Sequence, residues 1–279
     1  MDNLFPWYDS GWLSSYIRAK QLIKSDYPHK YLDFINALEP LKTRLDFQTI
    51  KVDRLFDRET TIEIQDLITK LQQAELEKHE FFKFGRFVVH DLDYFDRLQV
   101  QLTPLVSDLV GELVEPSYNF LSLYNNLGVC GVHLDAPLAK YTLDVCIEQS
   151  HLWPIYFSQV QAWPEDFEDR NDWEQAIETD PLNIFTAHEL TAGEAVIFSG
   201  SSQWHYRKRI PRQLDNNFCH LIFFHFIPAG MSHMIKPKNW AEIFDIPELN
   251  SLTSCTSKKI LVISEDPRVP MKGTPTGNL

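Results

Sequence analysis

Two textures of apolar and polar positions divide the chain near residue 117. Before it, apolar residues recur mostly at helical spacing. Trp12, Tyr16, Ala19, Leu22 and Ile23 predict one helix, and residues 31–41 a second that Pro40 limits. Ile62, Ile64, Leu67, Ile68, Leu71 and Leu76 form a wide stripe that predicts a longer amphipathic helix over 60–77. Residues 81–89 are aromatic and β-branched apart from Gly85, which predicts a strand. Residues 94–114 return to helical periodicity, with Pro104 expected at a break or in a first turn.

After residue 117 the pattern becomes a series of short strands. They are expected at 119–125, 129–135, 141–148, 153–160, 184–188, 194–199, 203–210 and 218–227, with Gly193 and Gly200 marking turns. Residues 161–180, polar and acidic, read as a long loop or short helix. Strands at short spacing with no helices between them predict a closed or double-sheet antiparallel structure. The fold class is therefore α+β: a jelly-roll core over 117–230, a mainly helical layer over 1–116 packed on it, and a C-terminal extension over 231–279, together one structural domain. Within the extension, 236–248 reads as a short helix, 259–264 as an edge strand, and 270–279 as disordered.

Composition supports a sizeable core, with 44% hydrophobic and 13% aromatic residues. Asp plus Glu outnumber Lys plus Arg by 39 to 26, a net charge of -13 that argues against nucleic acid as a partner. The four cysteines form no CxxC pair or zinc knuckle, and three lie in apolar strand-like runs, as small buried hydrophobes do. No run is long enough to span a membrane and the first residues carry no basic start or apolar signal core. A cytoplasmic protein without a membrane partner is the expectation.

The candidate chemistry lies in His133-Leu134-Asp135 and in His205, inside the sequence Trp204-His205-Tyr206-Arg207. Residues two apart on an extended strand share a face, so His133 and Asp135 can bind one metal ion together. His205 can close the triangle from another strand. Taken singly, each has an ordinary structural explanation; in this order and spacing they supply two imidazoles and one carboxylate, the ligand set of non-haem Fe(II) oxygenases.

The stretch from Leu123-Tyr124-Asn125 through Gly128 to His133-Leu134-Asp135, followed by Gly193-Glu194-Ala195-Val196-Ile197-Phe198 and His205, resembles the core of the Fe(II)/2-oxoglutarate-dependent dioxygenases over about residues 117–228. The resemblance implies a double-stranded β-helix, with Fe(II) held by His133, Asp135 and His205 and chelated by 2-oxoglutarate. With O2 the cosubstrate would yield succinate and CO2 while a substrate C–H bond is oxidised. Related halogenating enzymes replace the acidic ligand with a small residue; Asp135 therefore points to hydroxylation or another oxidation.

In many family members an Arg at the start of the last core strand anchors the far carboxylate of 2-oxoglutarate. Here that stretch is Asp215-Asn216-Asn217-Phe218-Cys219, with no cation. Arg207 shares strand parity with His205 and is the first substitute; an inward Arg207 would need a carboxylate partner, from the protein or the cosubstrate. Arg212 is the second, and Arg209 and Lys140 are further options. Tyr124 is a candidate hydrogen-bond partner for the cosubstrate. His151, His188, His220 and His225 read as structural. The substrate is expected to be a small molecule, amino acid or peptidyl residue. Trp163, Trp173 and Trp204 are either a substrate wall or core anchors, and the acidic loop at 165–178 favours a cationic group. The missing Arg leaves open a cupin-type metalloprotein with other chemistry, an isomerase or cosubstrate-free dioxygenase, or a non-enzymatic binding module.

Overall fold

Each of the eight segments expected as strands between residues 119 and 227 holds one. The computed structural model describes residues 10–90, 92–163, 165, 173–211 and 217–253. Its elements in chain order are α1 (Ser10–Asp26), α2 (Tyr31–Leu38), β1 (Ile50–Val52), α3 (Arg58–Lys70), α4 (Phe81–Phe84), β2 (Arg86–His90), α5 (Asp93–Val110), β3 (Val114–Tyr124), β4 (Cys130–His133), β5 (Tyr141–Gln149), β6 (Ile155–Val160), α6 (Trp173–Thr179), β7 (Thr186–His188), β8 (Ala195–Phe198), β9 (Gln203–Arg207), β10 (Cys219–Pro228), α7 (Trp240–Ile243) and α8 (Asn250–Thr253). The strand expected at 259–264 and the tail at 270–279 lie outside the described residues. No helix among the described residues is long and apolar enough to cross a membrane.

The strands form a six-stranded sheet in the order β1-β8-β5-β10-β3-β2 and a four-stranded sheet in the order β4-β9-β6-β7. From β3 to β10 the chain passes back and forth between the two sheets, and all recorded strand pairs are antiparallel. This order is a double-stranded β-helix. Side chains from the inner faces, among them Tyr124, Phe157, Phe198 and Leu221, fill the space between the sheets.

The outer face of the large sheet carries the opposite parity of the same strands. Phe87 and Val89 of β2, Leu121 and Leu123 of β3, and Ile222 and Phe224 of β10 pack there against Ile64 and Ile68 of α3 and Phe95, Val106 and Val110 of α5. Each such buried side chain contributes about 1.5–3 kcal/mol. The third cluster joins Trp12 of α1, Phe34 of α2 and Trp240 of α7. Trp163 and Trp204 belong to that cluster, which makes them packing residues rather than a substrate wall.

The mainly helical first third also contributes two strands to the barrel. β1 pairs with β8 and β2 pairs with β3, so both extend the large sheet. The segment expected as one strand over 81–89 is one helical turn and then β2, separated by Gly85 in the left-handed region at φ 67. α5 runs through Pro104 without a break. Pro104 is on the exposed side of α5, where the carbonyl it leaves unbonded can turn to water. The expected 60–77 helix stops at Lys70, where Leu71 turns extended.

Gly85 fixes where β2 begins. A Cβ on it would lie 2.4 Å from the Leu127 carbonyl carbon, while its own carbonyl accepts the Asn125 N–H at 2.9 Å. Left-handed backbone alone costs a non-glycine residue roughly 1–2 kcal/mol, and here the clash is with backbone that cannot swing away. Gly85→Ala is expected to lower stability by about 2 kcal/mol or more in urea denaturation; an unchanged midpoint would show that the 125–128 turn yields freely.

Candidate metal centre

β4 and β9 are neighbours in the small sheet, and His133 and His205 face each other across the pair as register partners. Their ring centroids are 4.1 Å apart. Each Nδ1 lies against the backbone carbonyl two residues earlier: His133 against Gly131 at 2.8 Å and His205 against Gln203 at 2.9 Å. A carbonyl can only accept, so each Nδ1 carries the donated hydrogen, and Nε2 is the nitrogen left to face a metal. Burial lowers the His133 pKa, but Cys130 and Asp135 outweigh it and raise it to about 10, so without a metal His133 keeps a second hydrogen that binding would displace. Both Nε2 atoms point at Asp135, His133 at 3.3 Å from Oδ1 and His205 at 3.6 Å from Oδ2.

Asp135 lies two residues past the end of β4 rather than within it, so shared strand parity is not what aims it. Its N–H donates to the Gly200 carbonyl at 2.8 Å, and Gly200 makes room for its carboxylate. A Cβ at Gly200 would stand 2.5 Å from Asp135 Oδ2, 2.7 Å from the Ala139 carbonyl and 2.9 Å from Thr142 Oγ1.

The donor set fits a divalent ion. One ligand atom from each of His133, Asp135 and His205 lies within 4.8 Å of the others, and ligand atoms at about 2 Å from a common centre require little closing from there. The hydrogen bonds at Nδ1 are the outer support that metal-binding imidazoles need. Burial pushes Asp135 up, but His205 and His133 outweigh it and hold the carboxyl below its ordinary range. Burial, aided by His133, pushes His205 down to about 3. The centre therefore presents an ionised carboxylate and a neutral imidazole.

These groups sit in a cavity of about 240 Å³ whose lining includes Arg86, Tyr124, Cys130, Arg207 and His225. Arg207 faces inward, as strand parity indicates. Its required carboxylate partner is Asp144 of the opposite sheet, at 2.6 Å from Nη2, with side-chain exposures of 4% and 0%. Its Nη1 donates to the Trp153 carbonyl. Arg207 is thus a clasp between the two sheets, neutralised by a carboxylate that cannot reach water. Arg212 lies outside the described residues. Arg209 is exposed and donates to the Leu127 carbonyl. Lys140 is bound to Glu112 and the Pro40 carbonyl, away from the cavity.

Three cavity residues escape a reading of the sequence. Arg86, buried on β2, donates to the Tyr124 hydroxyl at 2.8 Å and pairs with Glu80 at 2.5 Å. Its signal is a charge with the parity of Val88 and His90 in an apolar run. Cys130 turns inward because β4 spends three steps, from Cys130 to His133, against two on β9, from Arg207 to His205. That bulge brings residues of opposite parity to one face. His225, read from sequence as structural, lines the cavity on β10; His151, His188 and His220 do not.

No protein-family model and no curated protein sequence matches the chain. Solved structures do. The non-haem alpha ketoglutarate dependent epimerase SnoN from nogalamycin biosynthesis aligns with a TM-score of 0.48 at 14% identity, over 73% of this chain and 90% of that one. HygX from Streptomyces hygroscopicus, with nickel and 2-oxoglutarate bound, aligns with a TM-score of 0.47 at 11% identity, over 71% and 87%. An oxidoreductase of the 2OG-Fe(II) oxygenase family from Burkholderia pseudomallei gives 0.45 at 11%, over 70% and 89%. The strand order by itself defines the double-stranded β-helix.

Gly200→Ala is expected to weaken Mn(II) or Fe(II) binding by roughly 10–100-fold, the scale of losing a ligand's outer support, in anaerobic calorimetry with the fold intact by circular dichroism. Asp135→Ala should abolish binding altogether. Asp144→Ala should instead cost about 3–5 kcal/mol of stability by leaving Arg207 buried and unpaired; equal effects of the two aspartate variants on metal affinity would count against the triangle.

Proposed function

We propose that the protein is a non-haem Fe(II)/2-oxoglutarate-dependent oxygenase that oxidises, and most simply hydroxylates, a C–H bond of a small organic molecule. The observation that carries this reading is the convergence of His133 Nε2, His205 Nε2 and the Asp135 carboxylate at one wall of a cavity that also holds guanidinium groups. Bound iron, with 2-oxoglutarate and O2, would supply the oxidising power, with release of succinate and CO2.

The residues of the chain do the rest. His133, Asp135 and His205 would hold one face of the ion and leave the remaining positions open. Of the two inward arginines, Arg86 suits the far carboxylate of the cosubstrate better than Arg207. Asp144 is sealed in beside Arg207 at 0% exposure, whereas the Arg86 partner Glu80 is 21% exposed and can release the guanidinium by turning into water. The Tyr124 hydroxyl accepts from Arg86, which leaves its hydrogen for a carboxylate oxygen. Burial raises the Tyr124 pKa, against the pull of Arg86, so that hydrogen is retained. Arg207 would serve as the structural clasp, and Arg212 stays a candidate only through its distance along the chain from His205.

Titrating 2-oxoglutarate into the anaerobic Fe(II) protein should produce the visible metal-to-ligand absorption band, and turnover with ascorbate should release succinate. Arg86→Gln is expected to weaken 2-oxoglutarate binding by roughly 10–150-fold, the worth of a charge-assisted hydrogen bond. A confirmed Fe(II) complex that shows no band at saturating cosubstrate would overturn the oxygenase reading in favour of other metal chemistry. An unchanged affinity in Arg86→Gln would remove Arg86 alone.

A further inference from the structure

One wall of the cavity is built from residues that neither the metal nor the clasp uses. Sheet register sets Tyr118 of β3, His225 of β10 and Thr142 of β5 side by side. The next row on the same face sets Phe120 beside Phe223. The Tyr118 and His225 ring centroids are 4.0 Å apart, and Phe120 stacks on Phe223 at 5.0 Å. All four rings line the cavity.

His225 is 2% exposed, and its Nε2 has no hydrogen-bond partner among the described residues. Its Nδ1 lies 2.9 Å from Thr142 Oγ1. Thr142 is fully buried, and among the described residues that ring nitrogen is the acceptor its hydroxyl hydrogen has. The hydroxyl therefore donates to Nδ1, which places the imidazole hydrogen of a neutral ring on Nε2. The strand is held in this pose from behind. A register shift between His225 and Phe226 frees the His225 carbonyl, and the buried Gln99 of α5 donates to it at 2.7 Å. A buried N–H without an acceptor costs free energy, and this one is held firmly on the wall of the site.

We propose that His225 is a substrate-binding residue whose Nε2–H donates to a carbonyl, ether or hydroxyl oxygen of an uncharged, mainly apolar molecule packed against Tyr118, Phe120 and Phe223. Its role as substrate site rests on the oxygenase reading. Among the described residues the wall offers no free charge: the nearby His90 is engaged by Glu77 at 2.8 Å and Arg86 by Glu80 at 2.5 Å. A cationic substrate, expected from the acidic 165–178 loop, has no partner on this wall. The whole cavity, about 240 Å³, is below drug-sized pockets, roughly 300–1,000 Å³, and metal and cosubstrate would share it, which suits a small molecule or one end of a larger one.

The test uses the full chain, ¹⁵N-labelled at histidine, with acetophenone and ethylbenzene as probes; the two differ in one carbonyl oxygen. Acetophenone should shift the His225 Nε2 resonance and bind about tenfold more tightly than ethylbenzene, as one retained hydrogen bond would give. His225→Phe should erase the preference. His225→Gln, whose amide nitrogen reaches the Nε2 position, should restore much of it, and His225→Asn should not. Equal binding of the two probes, no binding of either, an unmoved Nε2 resonance, or rescue by Asn as good as by Gln would each overturn the proposal. Should His225→Phe fail to fold, the wild-type resonance and the probe preference decide. Neither iron nor 2-oxoglutarate enters the experiment, so its failure and that of the oxygenase reading are separately visible.

Discussion

The pairing of His133 with His205 across β4 and β9 is the constraint on which the site depends. Register partners on adjacent strands hold two imidazoles this close without help from loops. The carbonyls of Gly131 and Gln203 then orient the rings, each from two residues back on the same strand. A slip of one residue in this pair would send His205 to the outside of the barrel and Tyr206 to the inside. Two irregularities guard against it: the shift between Cys130 and His133 in one pairing of β9, and that between Phe157 and Val160 in the other. A bulge fixes register because its extra residue has one place to go. The same bulge turns Cys130 inward and brings its Sγ to 3.9 Å from His133 Nδ1.

Charge inside the barrel follows from solvent access. Burying a guanidinium is expensive unless a carboxylate comes with it, and the cavity satisfies that condition twice in different ways. Arg207 and Asp144 bind each other across the two sheets and are both closed off from water. Arg86 and Glu80 are equally close, but Glu80 keeps a path to solvent. The first pair is a fixed strut. The second can exchange one anion for another with little net loss, because the displaced Glu80 regains hydration while Arg86 keeps a counter-charge. Tyr124, which lines the cavity beside Arg86 and accepts from its guanidinium, is positioned to feel that exchange.

Most of the barrel was legible because strand periodicity survives in short segments: the eight core strands and the inward faces of His205 and Arg207 follow from alternation and spacing, whereas Asp135, past the end of β4, is aimed by its bond to Gly200. What could not be read depends on which strands meet. Asp144 as the partner of Arg207 requires knowing that β5 and β9 face each other from opposite sheets. Gly200 reads as a turn, and its second task, clearing space for Asp135, appears only when the two segments are brought together. His225 looked structural because a histidine in an apolar strand usually is; its open Nε2 depends on where Thr142 lies on a neighbouring strand. Trp163 and Trp204 could be either a substrate wall or core anchors; Trp163 packs against Trp12, and Trp204 packs against the same cluster.

The division at residue 117 is therefore a change of sequence texture and not a boundary of the site. β2 pairs with β3 along its whole length, and its inward positions Arg86, Val88 and His90 all line the cavity. Those side chains reach the interior because the outward positions, Phe87 and Val89, are buried under the helices, which leaves alternation no other choice. The helical layer thus sets the orientation of β2, and β2 supplies the cation proposed to receive the cosubstrate. A barrel trimmed to residues 117–230 would keep His133, Asp135 and His205 and lose Arg86. The first third of the chain is part of the cavity through one strand, and the packing of α3 and α5 behind the large sheet holds that strand in place.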